Sequence, residues 1–204
     1  MMATLLEVFA DITCPFTHVG LKKVVAEVNT LAKPVDVVVR AWPLEWVNGE
    51  VFAADVMRAK VDAIGNHLGH QHFSGFDEDT WPATTIAALN LAAAAYAVSN
   101  QAGLDVSLRL RAALFEDGLD IADPSVLADI AQATGVPAPP AEPTPAVEAD
   151  FEEGKRRGVR GSPEFWVDGQ AFFCPSLQIG HDDQGLLTAQ FDPRGLDDLL
   201  SALR

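Results

Sequence analysis

Cysteine is scarce in this chain: two among 204 residues, at positions 14 and 174. Two cannot build the disulfide framework of a small secreted scaffold, so each reads as free or catalytic rather than structural. Positive charge is scarce as well. Fourteen Lys and Arg face twenty-nine Asp and Glu, a formal net charge of −15, which repels a phosphate backbone and argues against general nucleic-acid binding. The local basic cluster Lys155, Arg156, Arg157 and Arg160 stands beside Glu152 and Glu153 and reads as a solvated helix end. No stretch approaches twenty consecutive apolar residues, so no membrane span is expected. The first eleven residues lack a basic leader region, and Glu7 interrupts their short apolar run. They are not expected to act as a signal peptide, and the expected compartment is the cytoplasm.

What is present is an ordinary globular composition, 49% hydrophobic and 21% charged, enough for one domain or one domain carrying an insertion. Thr4 to Phe9 is a nearly unbroken apolar run that reads as a buried strand. The turn-like Asp11-Ile12-Thr13 follows, and then an amphipathic helix beginning at Cys14, give or take a residue, and running to Thr30. Thr13 is expected to cap that helix, and Pro15 suits its first turn. Val35 to Trp42 reads as a second strand, ended by Pro43. Together these make a right-handed βαβ unit.

Between residues 45 and 149 strand signals vanish and Ala-rich helical periodicity takes over. Helices are expected at Asp55 to Ile64, with Asp55 as cap and Gly65 as stop, and at Ala83 to Asn100, Leu104 to Glu116 and Pro124 to Thr134. This block holds fifteen acidic and four basic residues, so it carries most of the excess negative charge. The stiff, proline-dense segment Pro137 to Pro145 follows, then a helix over Ala146 to Arg157. Strands at Glu164 to Val167 and Gln170 to Cys174 flank the hairpin turn Asp168-Gly169, and Pro193 to Leu200 closes the chain as a helix.

A cysteine at the first turn of a helix that directly follows a buried strand meets unpaired backbone N–H groups and the positive end of the helix dipole. Both favour thiolate over thiol, giving a nucleophile without a metal. Read without that context, Cys14 is a small buried residue. The run Asp11-Ile12-Thr13-Cys14-Pro15-Phe16-Thr17-His18-Val19-Gly20 resembles the active-site signature of the DsbA-like branch of the thioredoxin superfamily. There an aspartate precedes a Cys-Pro-aromatic-Cys helix start. Gly158 to Gly169 (GVRGSPEFWVDG) resembles that family's second signature, with Pro163 at the position of its cis-proline loop.

The resemblance implies an α/β, thioredoxin-like fold with an inserted all-helical domain: residues 1–44 and 150–204 form the thioredoxin-like part, and 45–149 the insertion. It implies that Ser162 and Pro163 face Cys14 and that the Ser162 backbone is available to an extended substrate. Thr17 stands where the family has its second cysteine, which excludes dithiol exchange between positions 14 and 17.

Three uses of the sulfur follow. Cys14 acts as a monothiol that forms mixed disulfides with a small-molecule thiol or a protein thiol, with Thr17 donating to its thiolate. Alternatively, the chain resembles the branch containing 2-hydroxychromene-2-carboxylate isomerase and kappa-class glutathione transferases, in which a serine replaces that cysteine and activates a bound thiol. Or Cys174 is a non-local resolving thiol, which requires its Cα within about 7 Å of that of Cys14; a packed free cysteine beside Phe172-Phe173 is the reading the sequence favours. A non-catalytic binding module is the remaining class. The expected site comprises Cys14, Thr17 and His18 for catalysis and Pro15, Phe16, Ser162, Pro163 and Cys174 for substrate. No tightly bound cofactor or metal is expected, and a low-molecular-weight thiol is the expected co-substrate.

His18, four residues after Cys14, shares its helix face and reads either as a tuner of the thiol or as packing. Asp11 reads as holding the turn or meeting Lys22. His67, His70 and His72 offer a weak metal motif, because Gly69 breaks the helix between them. Among the aromatics Trp42, Trp46, Phe52, Phe73, Phe76 and Trp81, some are expected to line a pocket at the seam of the insertion, although packing explains most. The acidic surface permits a homodimer without requiring one.

Overall fold

The computed structural model describes residues 3–204. The chain runs β1 (Thr4–Ala10), α1 (Pro15–Val28), β2 (Val35–Ala41), α2 (Leu44–Asn48) and α3 (Ala54–Leu68), then a 3₁₀ turn at His70–Phe73. It continues through α4 (Ile86–Val98), α5 (Asn100–Phe115), α6 (Pro124–Thr134) and α7 (Pro145–Arg157) to β3 (Glu164–Val167) and β4 (Gln170–Phe173). The last elements are β5 (Leu177–His181), β6 (Leu187–Phe191) and α8 (Pro193–Leu203). The main sheet has the order β2-β1-β3-β4: β1 and β2 are parallel, and β3 and β4 join antiparallel. This is the thioredoxin-like α/β fold with helices inserted after the βαβ unit.

The alternation of β1 decides what covers each face of the sheet. Leu6, Val8 and Ala10 are buried with Val37, Val39, Phe165 and Val167 against Leu21, Val24 and Val28 of α1 and Leu196, Leu199, Leu200 and Leu203 of α8. The opposite set, Glu7 and Phe9, meets α7. There Arg157 donates to Glu7 (2.5 Å), and Arg40 bonds both Glu7 (2.7 Å) and Asp150 (3.0 Å). Burial alone would raise the Glu7 carboxyl, but Arg157 and Arg40 hold it below the ordinary carboxylate range.

The inserted helices build a second core from residues such as Met57, Ile64, Leu91, Leu110, Phe115 and Val147, and this core also takes in Ile12 and Val19. The turn before α1 and the start of α1 therefore lie at the seam between the two cores.

Several local expectations change. Thr13 does not cap α1. Its hydroxyl and N–H both turn back to the Asp11 carboxylate, at 2.7 Å each, and Cys14 itself is the N-cap residue. Gly65 does not stop α3, which runs on to Leu68 with Gly65 buried inside it. Asp55 lies within the first turn, and its carboxylate bonds the adjacent Val56 N–H. Ser99, extended and accepting from the Ala102 N–H, ends α4 at Val98 and starts α5 at Asn100, ahead of the expected Leu104. The β5–β6 hairpin, not anticipated from the sequence, forms a separate two-stranded sheet, and its Ala189 is buried in the inserted core.

Candidate active site

The site begins with Asp11. Its buried carboxylate accepts from Thr13 N–H and Oγ1, from the Leu44 N–H (2.8 Å) and from Thr85 Oγ1 (3.2 Å). One side chain thus ties the turn to the start of α2 and to the residue before α4. It does not meet Lys22, which pairs with Glu116 instead. Beneath the turn lies Arg111 of α5, fully buried, with Nη1 bonded to Ser107 O and Oγ (2.9 and 2.6 Å) and Nη2 to the Asp11 carbonyl (3.2 Å). Burial works against its charge and lowers its pKa, while Asp11 and Cys14 act in the opposite sense. Arg111 is a site residue the sequence reading missed. The signal was available: an arginine four residues after a serine on an otherwise apolar helix face.

Cys14 sits at the N-cap of α1 with Pro15 immediately inside the helix. Facing it is the loop between α7 and β3, whose Ser162–Pro163 peptide is cis. The Cys14 thiol donates to the Ser162 carbonyl at 3.1 Å. The Ser162 hydroxyl takes the Asp11 N–H (3.0 Å) and pairs with Thr17 Oγ1 (2.9 Å). Two segments far apart in the chain are therefore fastened by three contacts, from Asp11, Cys14 and Thr17. Arg160 holds the base of the loop through the buried Glu164 carboxylate (2.7 Å).

Two expected catalytic roles are corrected. Thr17 is buried and spends its hydroxyl on Ser162, so it does not donate to the sulfur. His18 is 1% exposed and turns into the inserted core between Phe73 and Phe115. Its Nε2 bonds His72 O (2.9 Å) and lies 3.0 Å from Glu116 Oε1, and its Nδ1 has no partner. Burial, with Lys22 nearby, pushes the imidazole pKa down to about 3. With the imidazole neutral and its N–H given to His72 O, the approach to Glu116 is not an ion pair, and His18 supplies no cation to Cys14. The Ser162 carbonyl accepts the thiol while Cys14 is protonated.

Cys14, Pro15, Phe16, Ser162 and Cys174 share the lining of a cavity of about 450 Å³. Phe52, Leu44, Met57 and Lys60 supply its wall from the insertion, and Phe173 and Ile179 complete it. Both cysteines are free. Cys174 lies just beyond β4 with φ +46°, its N–H bonded to the Pro163 carbonyl at 3.0 Å. Burial, and then Cys14, push its thiol pKa upward. Of the seam aromatics only Phe52 reaches the cavity. Trp42 and Trp46 pack on Phe151, and Phe73, Phe76 and Trp81 cluster with Phe115. Lys60, the single charged lining residue, and Ile179, from the unanticipated hairpin, were not singled out from the sequence.

The three histidines of the insertion do not converge. His67 bonds Ala63 O (2.7 Å) and His70 bonds Asn66 Oδ1 (3.1 Å). Among the described residues no group of three or more His, Cys, Asp or Glu could hold a metal ion, and no helix is long and apolar enough to cross a membrane.

A strand-turn-helix cysteine faced by a cis-proline loop, with helices inserted between the two, defines a class of thioredoxin-fold proteins. The model of the DSBA-like thioredoxin domain matches residues 5–189, and the chain belongs to that family. Among solved structures it is similar to a probable DsbA oxidoreductase, SCO1869, from Streptomyces coelicolor. They share 17% identity over 98% of this chain and 89% of the other, with a TM-score of 0.69. It is also similar to 2-hydroxychromene-2-carboxylate isomerase, at 12% identity over 83% of this chain and 88% of that one, with a TM-score of 0.56. At such identities the likeness is one of fold. None of the curated proteins matches the chain significantly.

Proposed function

We propose that this protein is a thiol–disulfide oxidoreductase whose entering nucleophile is Cys14, acting as a monothiol within its helix motif. Its thiolate attacks one sulfur of a low-molecular-weight or protein disulfide, forms a mixed disulfide and expels the other sulfur as a thiolate. Family membership supports the reaction class. The observation that carries the reading is the placement of Cys14 at the N-cap of α1, across from Ser162 and on the wall of a cavity large enough for a small thiol. When the thiol ionises it gives up its bond to Ser162 O, and the first-turn N–H groups of α1 and the buried Arg111 charge compensate.

Phe16, Phe52 and Phe173 offer apolar surface to the substrate, and Lys60 the only charge. The co-substrate is a low-molecular-weight thiol, no tightly bound cofactor is invoked, and the cytoplasm is the proposed compartment. The test is incubation of the reduced protein with glutathione disulfide, followed by intact mass under non-reducing conditions. Glutathionyl transfer to the wild type and its loss in Cys14→Ser are expected. An unreactive wild type, or a Cys14→Ser variant modified equally fast, contradicts the reading.

A further inference from the structure

We infer that Cys174 is the resolving thiol of this site, so that the helix motif lacking a second cysteine is completed from the end of β4. The inference rests on the proposed role of Cys14 and adds the step that follows it.

Both cysteines are buried, each 4% exposed, and they line the same cavity. Consecutive carbonyls of one loop hold them: Ser162 O takes the Cys14 thiol at 3.1 Å, and Pro163 O takes the Cys174 N–H at 3.0 Å. The position usually used for resolution is closed, because Thr17 is buried and bonded to Ser162. Cys174 also has a backbone that a packing cysteine does not need, a left-handed conformation that favours glycine. Cys174 opens a turn closed by the Leu177 N–H on Cys174 O (3.1 Å), and a bond between the two sulfurs requires their Cα atoms within about 7 Å. Burial and the neighbouring sulfur both disfavour the Cys174 thiolate, which leaves Cys14 as the first to react and Cys174 as the second.

The chemistry balances with a low-molecular-weight disulfide as oxidant. Cys14 thiolate and RSSR give Cys14–S–S–R and RS⁻. The expelled RS⁻ takes the Cys174 proton, the Cys174 sulfur attacks the Cys14 sulfur, the S–S bond to R breaks, and the second RS⁻ leaves and is protonated from solvent, which received the Cys14 proton. Two protein thiols have lost two electrons, and RSSR has become two thiols.

The test follows reduced wild type and Cys174→Ser over time with glutathione disulfide, with acid quenching, intact mass and non-reducing peptide mapping. The wild type is expected to pass through a glutathionyl adduct to a chain lacking two hydrogens, with Cys14 and Cys174 in one cross-linked peptide. In Cys174→Ser the adduct should persist, its release slowed by about tenfold or more, because a neighbouring thiol acts at a high effective concentration. A wild-type adduct as persistent as that of the variant overturns the inference while leaving the role of Cys14 intact. A disulfide that links two chains overturns it as well. No adduct and no loss of hydrogen in the wild type overturns the role of Cys14 itself. Mapping the wild type needs no variant, so the outcome does not hang on how Cys174→Ser folds.

Discussion

His18 shows how spacing alone misassigns a residue. Four positions after Cys14 puts it on the same side of α1, but the helix lies at a seam, and the inserted core claims the imidazole. Its folded pKa, about 3, lies far below the ordinary 6.5. Below pH 6.5 the unfolded chain takes up a proton that the folded chain refuses, so this contribution to stability is complete above that pH and is lost as pH falls towards 3. The share of His18 amounts to about 2 kcal/mol between pH 6.5 and 5. Urea midpoints measured across that range should fall less steeply for His18→Phe than for the wild type; equal slopes would contradict the assignment. Arg111 is the opposite case, a buried charge with a use. Arg111→Met keeps much of the volume but removes the charge behind the turn. Alkylation of Cys14 in the folded variant should slow by about tenfold, whereas an unchanged rate would reduce Arg111 to a structural strut. That Cys14, Pro15, Phe16, Ser162 and Pro163 belong together was legible through two short signatures. The partner of Thr17 was not, because a hydrogen bond across the seam leaves no local pattern, and Arg111 was marked only by its spacing from Ser107.

At the scale of elements, the strands and helices with strong periodicity or proline and glycine punctuation were readable: β1, α1, β2, α6, α7 and the β3–β4 hairpin. The Asp168-Gly169 turn takes the two positive φ values, 48° and 83°, that its sequence demands. The β5–β6 hairpin escaped although Leu187, Ala189 and Phe191 alternate with Thr188 and Gln190. Five-residue strands with exposed faces give too brief a signal, and these pair only with each other. In α7, Gly154 carries a requirement that is not conformational. A Cβ there would lie 2.5 Å from the Trp42 ring and 3.1 Å from Phe9. On an exposed helix Gly→Ala stabilises by about 1 kcal/mol. Here overpacking of about 1–3 kcal/mol opposes it. Gly154→Ala should therefore lower stability by up to about 2 kcal/mol in chemical denaturation; a stabilised variant would mean that α7 does not press on the sheet as described.

For the whole molecule, the charge balance of −15 governs encounter rather than fold. The cavity beside Cys14 contributes one lysine against that field. A cationic small disulfide such as cystamine should react with Cys14 more slowly as salt is added, and an anionic one such as dithiobis-nitrobenzoate faster, because screening removes attraction in one case and repulsion in the other. Rates independent of salt for both would show that Lys60 and the local dipole cancel the global charge at the site.

The fold class was legible at this scale because strand periodicity gives way to helical periodicity near residue 45 and strands return only after α7. The seam itself was not legible, since no local pattern announces that Ile12 and Val19 pack with α3 to α7 rather than with the sheet.

The account stands on the unequal chemistry of two buried sulfurs. Brief exposure of the folded, reduced protein to iodoacetamide at neutral pH, followed by peptide mapping, reads it directly. The label is expected on Cys14 first, with Cys174 reached only after unfolding. Equal labelling, Cys174 ahead of Cys14, or two unlabelled cysteines in the folded protein would contradict it.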